Sequence, residues 1–265
     1  MMAIEQHMQI RFIIACPQSG STLLMRVIAE SKECAFTSRL VLVDKSEEMG
    51  NFRPDYSIFE TPKKHKVYKL ASQLKESFLT CKQEIKGECS YDIFSPEPEY
   101  ALVRPKFLIR DPVRMLDSCK HVGWTDTQNL IDGFTKLFDM LRKGPSQSIF
   151  CLIYERLIRD PQSEIRNICA RWGIPYSDAM LNLSNASGST FLYGSDRERR
   201  IHCEEKARGL CKTVKTSSSV EPEVPYHGLL SNAEQGRIQS CIGLQYLSCW
   251  TGESSRLQAI LHEKT

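Results

Sequence analysis

The stretch Arg11-Phe12-Ile13-Ile14-Ala15-Cys16-Pro17-Gln18-Ser19-Gly20-Ser21-Thr22-Leu23-Leu24 decides how this chain is read. Residues 12–16 form an apolar run of strand length, while Leu23, Leu24, Val27 and Ile28 recur at helical spacing. The small-residue loop between them is therefore expected to place Ser19, Gly20, Ser21 and Thr22 at a helix N-terminus, whose first amides have no intrahelical partner. Such amides, together with the helix dipole, favour a phosphate group. The alternative is an ordinary strand-turn-helix in which a Ser or Thr caps the helix.

Compared with the phosphate-loop pattern G-x-x-x-x-G-K-[ST], the loop keeps Gly20 and Thr22 but has Ala15 at the first glycine and Ser21 at the lysine. The lysine of that pattern reads a γ-phosphate beside magnesium, so a nucleotide without a γ-phosphate needs neither. A second segment, Lys106-Phe107-Leu108-Ile109-Arg110-Asp111-Pro112-Val113-Arg114-Met115-Leu116-Asp117-Ser118, repeats the strand-turn-helix order. Asp111 is expected to cap its helix and Pro112 to open it.

Taken together, P-x-S-G-S-T-L-L and, about ninety residues on, F-L-I-R-D-P-x-R with a serine eight positions after Arg110 resemble the sulfotransferases that use 3'-phosphoadenosine 5'-phosphosulfate (PAPS). Within that family the likeness is to divergent, fungal-type members. The resemblance implies that the first loop, Gln18 to Leu23, holds the 5'-phosphosulfate, that Arg110 and Ser118 hold the 3'-phosphate, and that 3'-phosphoadenosine 5'-phosphate (PAP) is left as product. It implies no metal. A third segment agrees, since residues 149–157 followed by Arg159-Asp160-Pro161 look like the family's strand, Y-E-x-L turn and helix. There Asp160 is expected to cap and Pro161 to start a helix with Ile165, Ile168, Cys169 and Trp172 on one face, and Gly173 to end it. Glu155, just after the strand, is expected to hold neighbouring loops by hydrogen bonds.

Strands near 12–16, 78–82, 107–110 and 150–154, separated by helical or irregular segments, predict an α/β fold: a phosphate-loop type, mainly parallel sheet with helices on both faces. Ligand then sits at the strands' carboxyl ends. At 265 residues and 41% apolar the chain suits one such domain over its whole length. A segment at 47–66 is rich in charge and proline, and 182–227 mixes Ser, Gly and basic residues and is a candidate lid. Within the latter, Arg208-Gly209 is the nearest match to the basic-glycine loop that closes over the 3'-phosphate in the family; a solvated basic face is the alternative. In the last segment, Leu244, Leu247 and Trp250 are expected in the core of a terminal helix.

A net charge of +3, with Lys and Arg spread along the chain, gives no reason to expect nucleic acid as partner. Eleven scattered cysteines without C-x-x-C pairs fit reduced thiols in a cytoplasmic protein rather than a disulfide framework or a zinc site. No apolar run reaches the roughly 18 residues that span a membrane, so no membrane anchor is expected.

Sulfuryl transfer needs a cation on the bridging oxygen and a base at the acceptor hydroxyl. Lys82 and Glu84 match the family's strand-end lysine and the base two residues later, and on a strand the two positions share a face. An exposed ion pair is the alternative. His121 is the rival base, because its ordinary pKa near 6.5 suits proton transfer. Trp124, Ser38 and Arg39 are candidates to line the acceptor side. One departure stands out: where the family has Lys or Arg between the proline and serine of its first loop, this chain has Gln18. Three readings follow: a transferase acting on a hydroxyl of a small molecule, a repurposed fold doing acid-base chemistry without sulfuryl transfer, and a nucleotide-binding domain without turnover. Acceptor identity and oligomeric state are not readable from the chain.

Overall fold

A computed structural model describes residues 9–31, 33–37, 41–42, 53–54, 77–84, 103–143, 151–182, 190–191 and 226–251. In chain order these form β1 (Gln9–Ala15), α1 (Ser21–Ile28), β2 (Cys34–Thr37), β3 (Val41–Leu42), β4 (Arg53–Pro54), β5 (Phe78–Glu84) and β6 (Val103–Ile109). There follow α2 (Pro112–His121), α3 (Thr127–Lys143), β7 (Cys151–Ile153), α4 (Tyr154–Arg159), α5 (Pro161–Trp172), a 3-10 turn (Asp178–Leu181) and β8 (Thr190–Phe191). The last described elements are α6 (Asn232–Ile238), a π-helical turn (Gln239–Gly243) and α7 (Leu244–Thr251).

Six strands make one sheet in the order β7-β6-β1-β5-β2-β8, and every pairing in it is parallel. β3 and β4 form a separate antiparallel pair. β1 is central and buried on both faces, which is why it reads as a nearly continuous apolar run. Its alternation feeds two cores. Ile10, Phe12 and Ile14 join Met115, Leu116, Phe134, Leu137 and Ile238 on one side. Ile13 and Ala15 join Leu24, Ile28, Ile165, Ile168 and Trp172 on the other.

Arg11 lies in the buried sheet with its charge satisfied by the end of α5. Its Nε and Nη2 donate to the carbonyl oxygen of Trp172 at 2.8 and 2.7 Å, a cation at the negative end of a helix dipole. The caps follow their local signals. Asp111 accepts from the amides of Val113 and Arg114, Asp160 accepts from that of Ser163, and Gly173 closes α5 in the left-handed region.

Two expectations are corrected. β6 starts at Val103 rather than near 107, although Arg104, Pro105 and Lys106 break its apolar run. Among the described residues β7 pairs with Phe107–Ile109 and the neighbour of Pro105 is β1 alone, so a missing amide is tolerated there. The second concerns the terminal helix, where Leu244 and Leu247 are 74% and 55% exposed rather than in the core. The π-helical turn at Gln239–Gly243 adds a residue per turn and rotates the following helix, so that Ile238, Ile242, Tyr246 and Cys249 meet the core instead. The side chain of Trp250 lies outside the described residues, as does the structure of 47–52 and 55–66.

Candidate functional site

Three strand ends meet along one edge of the sheet. Ala15 pairs with Leu108 of β6 and with Glu84 of β5, and Ile109 pairs with Ile153. Arg110, the loop 16–20 and Tyr154-Glu155 therefore leave the sheet side by side, where β1 has neighbours reached by crossovers in opposite directions. Glu155 ties the ends together: its Oε1 accepts from the Asp111 amide at 2.8 Å and its Oε2 accepts from the Tyr246 hydroxyl at 3.1 Å. Burial pushes the Glu155 carboxyl above its ordinary range, against these bonds, which pull it down.

The loop after β1 is shaped by two left-handed residues. Gly20 is the N-cap of α1, with φ at +86° and no side-chain cap, and a β-carbon there would stand 2.4 Å from Tyr154 Cε2. Gln18 is left-handed as well, with φ at +59°, a conformation uncommon for a residue with a side chain. Its carbonyl oxygen accepts from Arg110 Nη1 at 2.9 Å, and its side-chain Oε1 accepts from Ser118 Oγ at 3.4 Å. Arg110 is only 7% exposed and its guanidinium lies 4.8 Å from the centre of the Tyr154 ring, a cation-π contact.

Among the described residues, Ser19 Oγ and Arg110 Nε are buried with no hydrogen-bond partner. Two orphaned donors beside a helix N-terminus fit the oxygens of a phosphorylated ligand, which accept and carry negative charge. Ser21, Thr22 and Leu23 form the first turn of α1 next to them.

Of the residues singled out in the sequence, the fold thus gathers Gln18, Ser19, Gly20, Arg110 and Ser118. Lys82 and Glu84 are on β5, paired in register with Ile13 and Ala15; their side chains lie outside the described residues. Arg208, Gly209, Ser38, Arg39 and most of 182–227 also lie outside them. His121 is exposed at the end of α2, and its ring stacks on His227 with centroids 3.9 Å apart and planes 2° from parallel. Trp124 packs against the core cluster on the α2 side of the sheet.

One role and one residue escape the sequence reading. Tyr154, read only as the tyrosine of the Y-E-x-L turn, supplies the ring against which Gly20 and Arg110 pack. Asp117 is 1% exposed and accepts from the amides of His227 and Leu229 at 2.6 and 2.7 Å, fixing residues 227–229 against α2. The available signal was a carboxylate among Met115, Leu116 and Cys119, where an unpaired charge would be costly.

No protein-family model and no curated protein matches the sequence. Among solved structures the chain is similar to the sulfotransferase domain from the Synechococcus PCC 7002 olefin synthase, at 15% identity over 87% of this chain and 93% of that one, with a TM-score of 0.52. The chain has the sulfotransferase fold. Lower scores relate it to a sulfotransferase domain from the curacin biosynthetic pathway, at 15% identity, 89% and 98% coverage and a TM-score of 0.47. A mouse sulfotransferase complexed with PAP gives 12%, 91% and 86%, and 0.49. In this sulfotransferase fold the candidate site occupies the carboxyl edge of the parallel sheet, and no helix among the described residues is long and apolar enough to cross a membrane.

Proposed function

We propose that the chain is a sulfotransferase that moves a sulfuryl group from PAPS to a hydroxyl of a small-molecule acceptor, a secondary metabolite. The observation that carries the reading is the pair of buried, unpartnered donors, Ser19 Oγ and Arg110 Nε, at the strand ends beside the start of α1. PAPS supplies the sulfuryl group, and PAP is its product. Residues Gln18 to Leu23 bind the 5' end through amides and hydroxyls, and Arg110 and Ser118 bind the 3'-phosphate. Lys82 carries the positive charge that balances the departing phosphate oxygen, and Glu84 takes the proton of the acceptor hydroxyl, with His121 the rival for that role. Arg208-Gly209 belongs to the segment that closes over the nucleotide. No metal is required for these roles.

The test is calorimetry of PAP against adenosine 5'-phosphate in the presence of a chelator, followed by sulfur-35 transfer from PAPS. A clear preference for PAP supports the donor assignment; equal affinity for the two nucleotides removes it.

A second reading rests on Gln18. A neutral amide where the family carries a cation weakens charge stabilisation, and losing a fixed donor of that kind costs about 10²–10³ in rate when it acts on the transition state. In that reading the same pocket performs acid-base chemistry on a metabolite without sulfuryl transfer. Product formation with no sulfur incorporated and no donor consumed would select it.

A further inference from the structure

We propose that Cys151 and Cys249 are a reversible redox pair: a low-molecular-weight disulfide oxidises their thiols to one disulfide bond, which clamps α7 to β7 beside the candidate site.

Cys151 opens β7, the strand at one end of the sheet order, and Cys249 lies in α7. Both are half-buried, pack against the same core cluster and hydrogen-bond to each other through their thiols. From such a contact two sulfurs reach bonding distance by side-chain rotation. Tyr246 is three residues before Cys249 and so shares its helix face, and its hydroxyl donates to Glu155 Oε2. Cys151 and Glu155 thus meet α7 at two points, one at the strand ends and one a turn of the helix further along. The second is a thiol contact that oxidation makes covalent.

The two thiols are unequal in the way a redox pair needs. The Cys151 thiol donates to the Cys249 sulfur, which holds Cys249 below its ordinary pKa against the effect of burial. Burial, with the same bond, pushes Cys151 well up. The first is therefore the attacking thiol and the second the resolving one. Buried cysteines elsewhere are inert by comparison: burial pushes Cys34 up to about 12 and Cys169 to about 11. Cys119 and Cys169 lie against the sulfurs of Met115 and Met180 at 3.7 and 3.6 Å, with no thiol to resolve an adduct there.

The step balances as a thiol-disulfide exchange. Cys249 gives its proton to solvent and its thiolate attacks one sulfur of the small disulfide, breaking that bond and releasing a thiolate that takes up a proton. Cys151 then loses its proton and attacks the Cys249 sulfur of the mixed disulfide, releasing the second small thiol. Two protein thiols are oxidised to one disulfide, the small disulfide is reduced to two thiols, and a dithiol reverses the exchange. In a reducing compartment such a bond is transient, as a sensor requires. It closes a loop of about 100 residues, a length at which a cross-link strongly restricts the unfolded chain.

The test treats the native protein with the disulfide of 2-mercaptoethanol, alkylates the remaining thiols and identifies peptides by mass spectrometry, with thermal unfolding in parallel. The expected result is a Cys151–Cys249 cross-linked peptide and a Tm raised by about 5–10 °C, both reversed by dithiothreitol. Cys151→Ser should stop at the mixed disulfide on Cys249, Cys249→Ser should leave Cys151 alkylated, and neither should gain in Tm. Wild-type protein whose Cys151 and Cys249 are both alkylated, or whose Cys249 keeps a mixed disulfide while Cys151 is alkylated, overturns the pair. A cross-link with unchanged or lower Tm, or a rise that persists in either variant, overturns the clamp.

Discussion

The ring of Tyr154 lies where the side chain of any residue but glycine at position 20 would begin, with Tyr154 Cε2 2.4 Å from that β-carbon position. Through this contact the end of β7 sets the height of the loop after β1, and Arg110, packed on the same ring, is set with it.

Gly20→Ala should therefore be costly twice over, by a left-handed backbone carrying a β-carbon and by a clash with a buried ring. A loss of about 2–4 kcal/mol in urea denaturation is expected, with PAP binding reduced at least about tenfold. The companion Tyr154→Ala, Gly20→Ala double variant relieves the clash and leaves only the backbone cost, so its stability should lie above the sum of the single losses.

Arg110→Ala should weaken PAP binding by about 1.5–3 kcal/mol, the scale of a charge-assisted contact, and adenosine 5'-phosphate binding by less. Arg110→Lys should restore little, because the donors of an ammonium radiate from one nitrogen and lack the planar guanidinium that lies on Tyr154 while its separate nitrogens reach the Gln18 carbonyl and a second acceptor. A folded Arg110→Ala protein with unchanged affinity for both nucleotides would remove Arg110 from the site.

Lys82→Ala and Glu84→Gln should each lower turnover far more than they lower PAP binding, since contacts that strengthen only in the transition state behave in this way. For the base the expected loss is about 10²–10⁴-fold, together with the acidic limb of the pH profile. Sulfur-35 transfer measures it. Activity that survives Glu84→Gln and collapses on His121→Ala would move the base to His121.

Glu155 makes stability depend on pH. Burial raises its folded-state pKa above the ordinary value of 4.5, so between that value and the raised one the folded protein holds a proton that the unfolded chain has lost. Its contribution is thus full below 4.5 and declines as pH rises through the folded-state pKa. Glu155→Gln keeps an acceptor for the Asp111 amide and cannot ionise, so the stability of the variant relative to wild type should increase across that window. Urea denaturation at a series of pH values should show it; parallel curves would mean that Glu155 does not titrate there.

Much of the fold could be read locally. The apolar run of β1, the cap and proline at Asp111-Pro112 and again at Asp160-Pro161, and the glycine that ends α5 are each decided by a residue and its near neighbours in the chain. These signals also set the order of strands and helices, and with right-handed crossovers that order gives a parallel sheet whose carboxyl ends carry the loops. The expectation that Glu155 holds neighbouring loops is met by its bond to Asp111.

What the tertiary structure alone decided involves residues far apart in sequence. The exposure of Leu244 and Leu247 depends on one extra residue in a π-helical turn, which changes the phase of a face without changing its composition. The left-handed Gln18 is fixed by Arg110 and Ser118, 92 and 100 residues away, and the seat of Gly20 is fixed by Tyr154. The sequence by itself determined most of the segments that become strands and helices and which edge bears the loop after β1, because hydrophobic period and capping act over a few residues. Which side chain fills the place beside Ser118 was decided only when three strand ends came together, because a hydrogen bond answers to distance in space and carries no trace in local pattern.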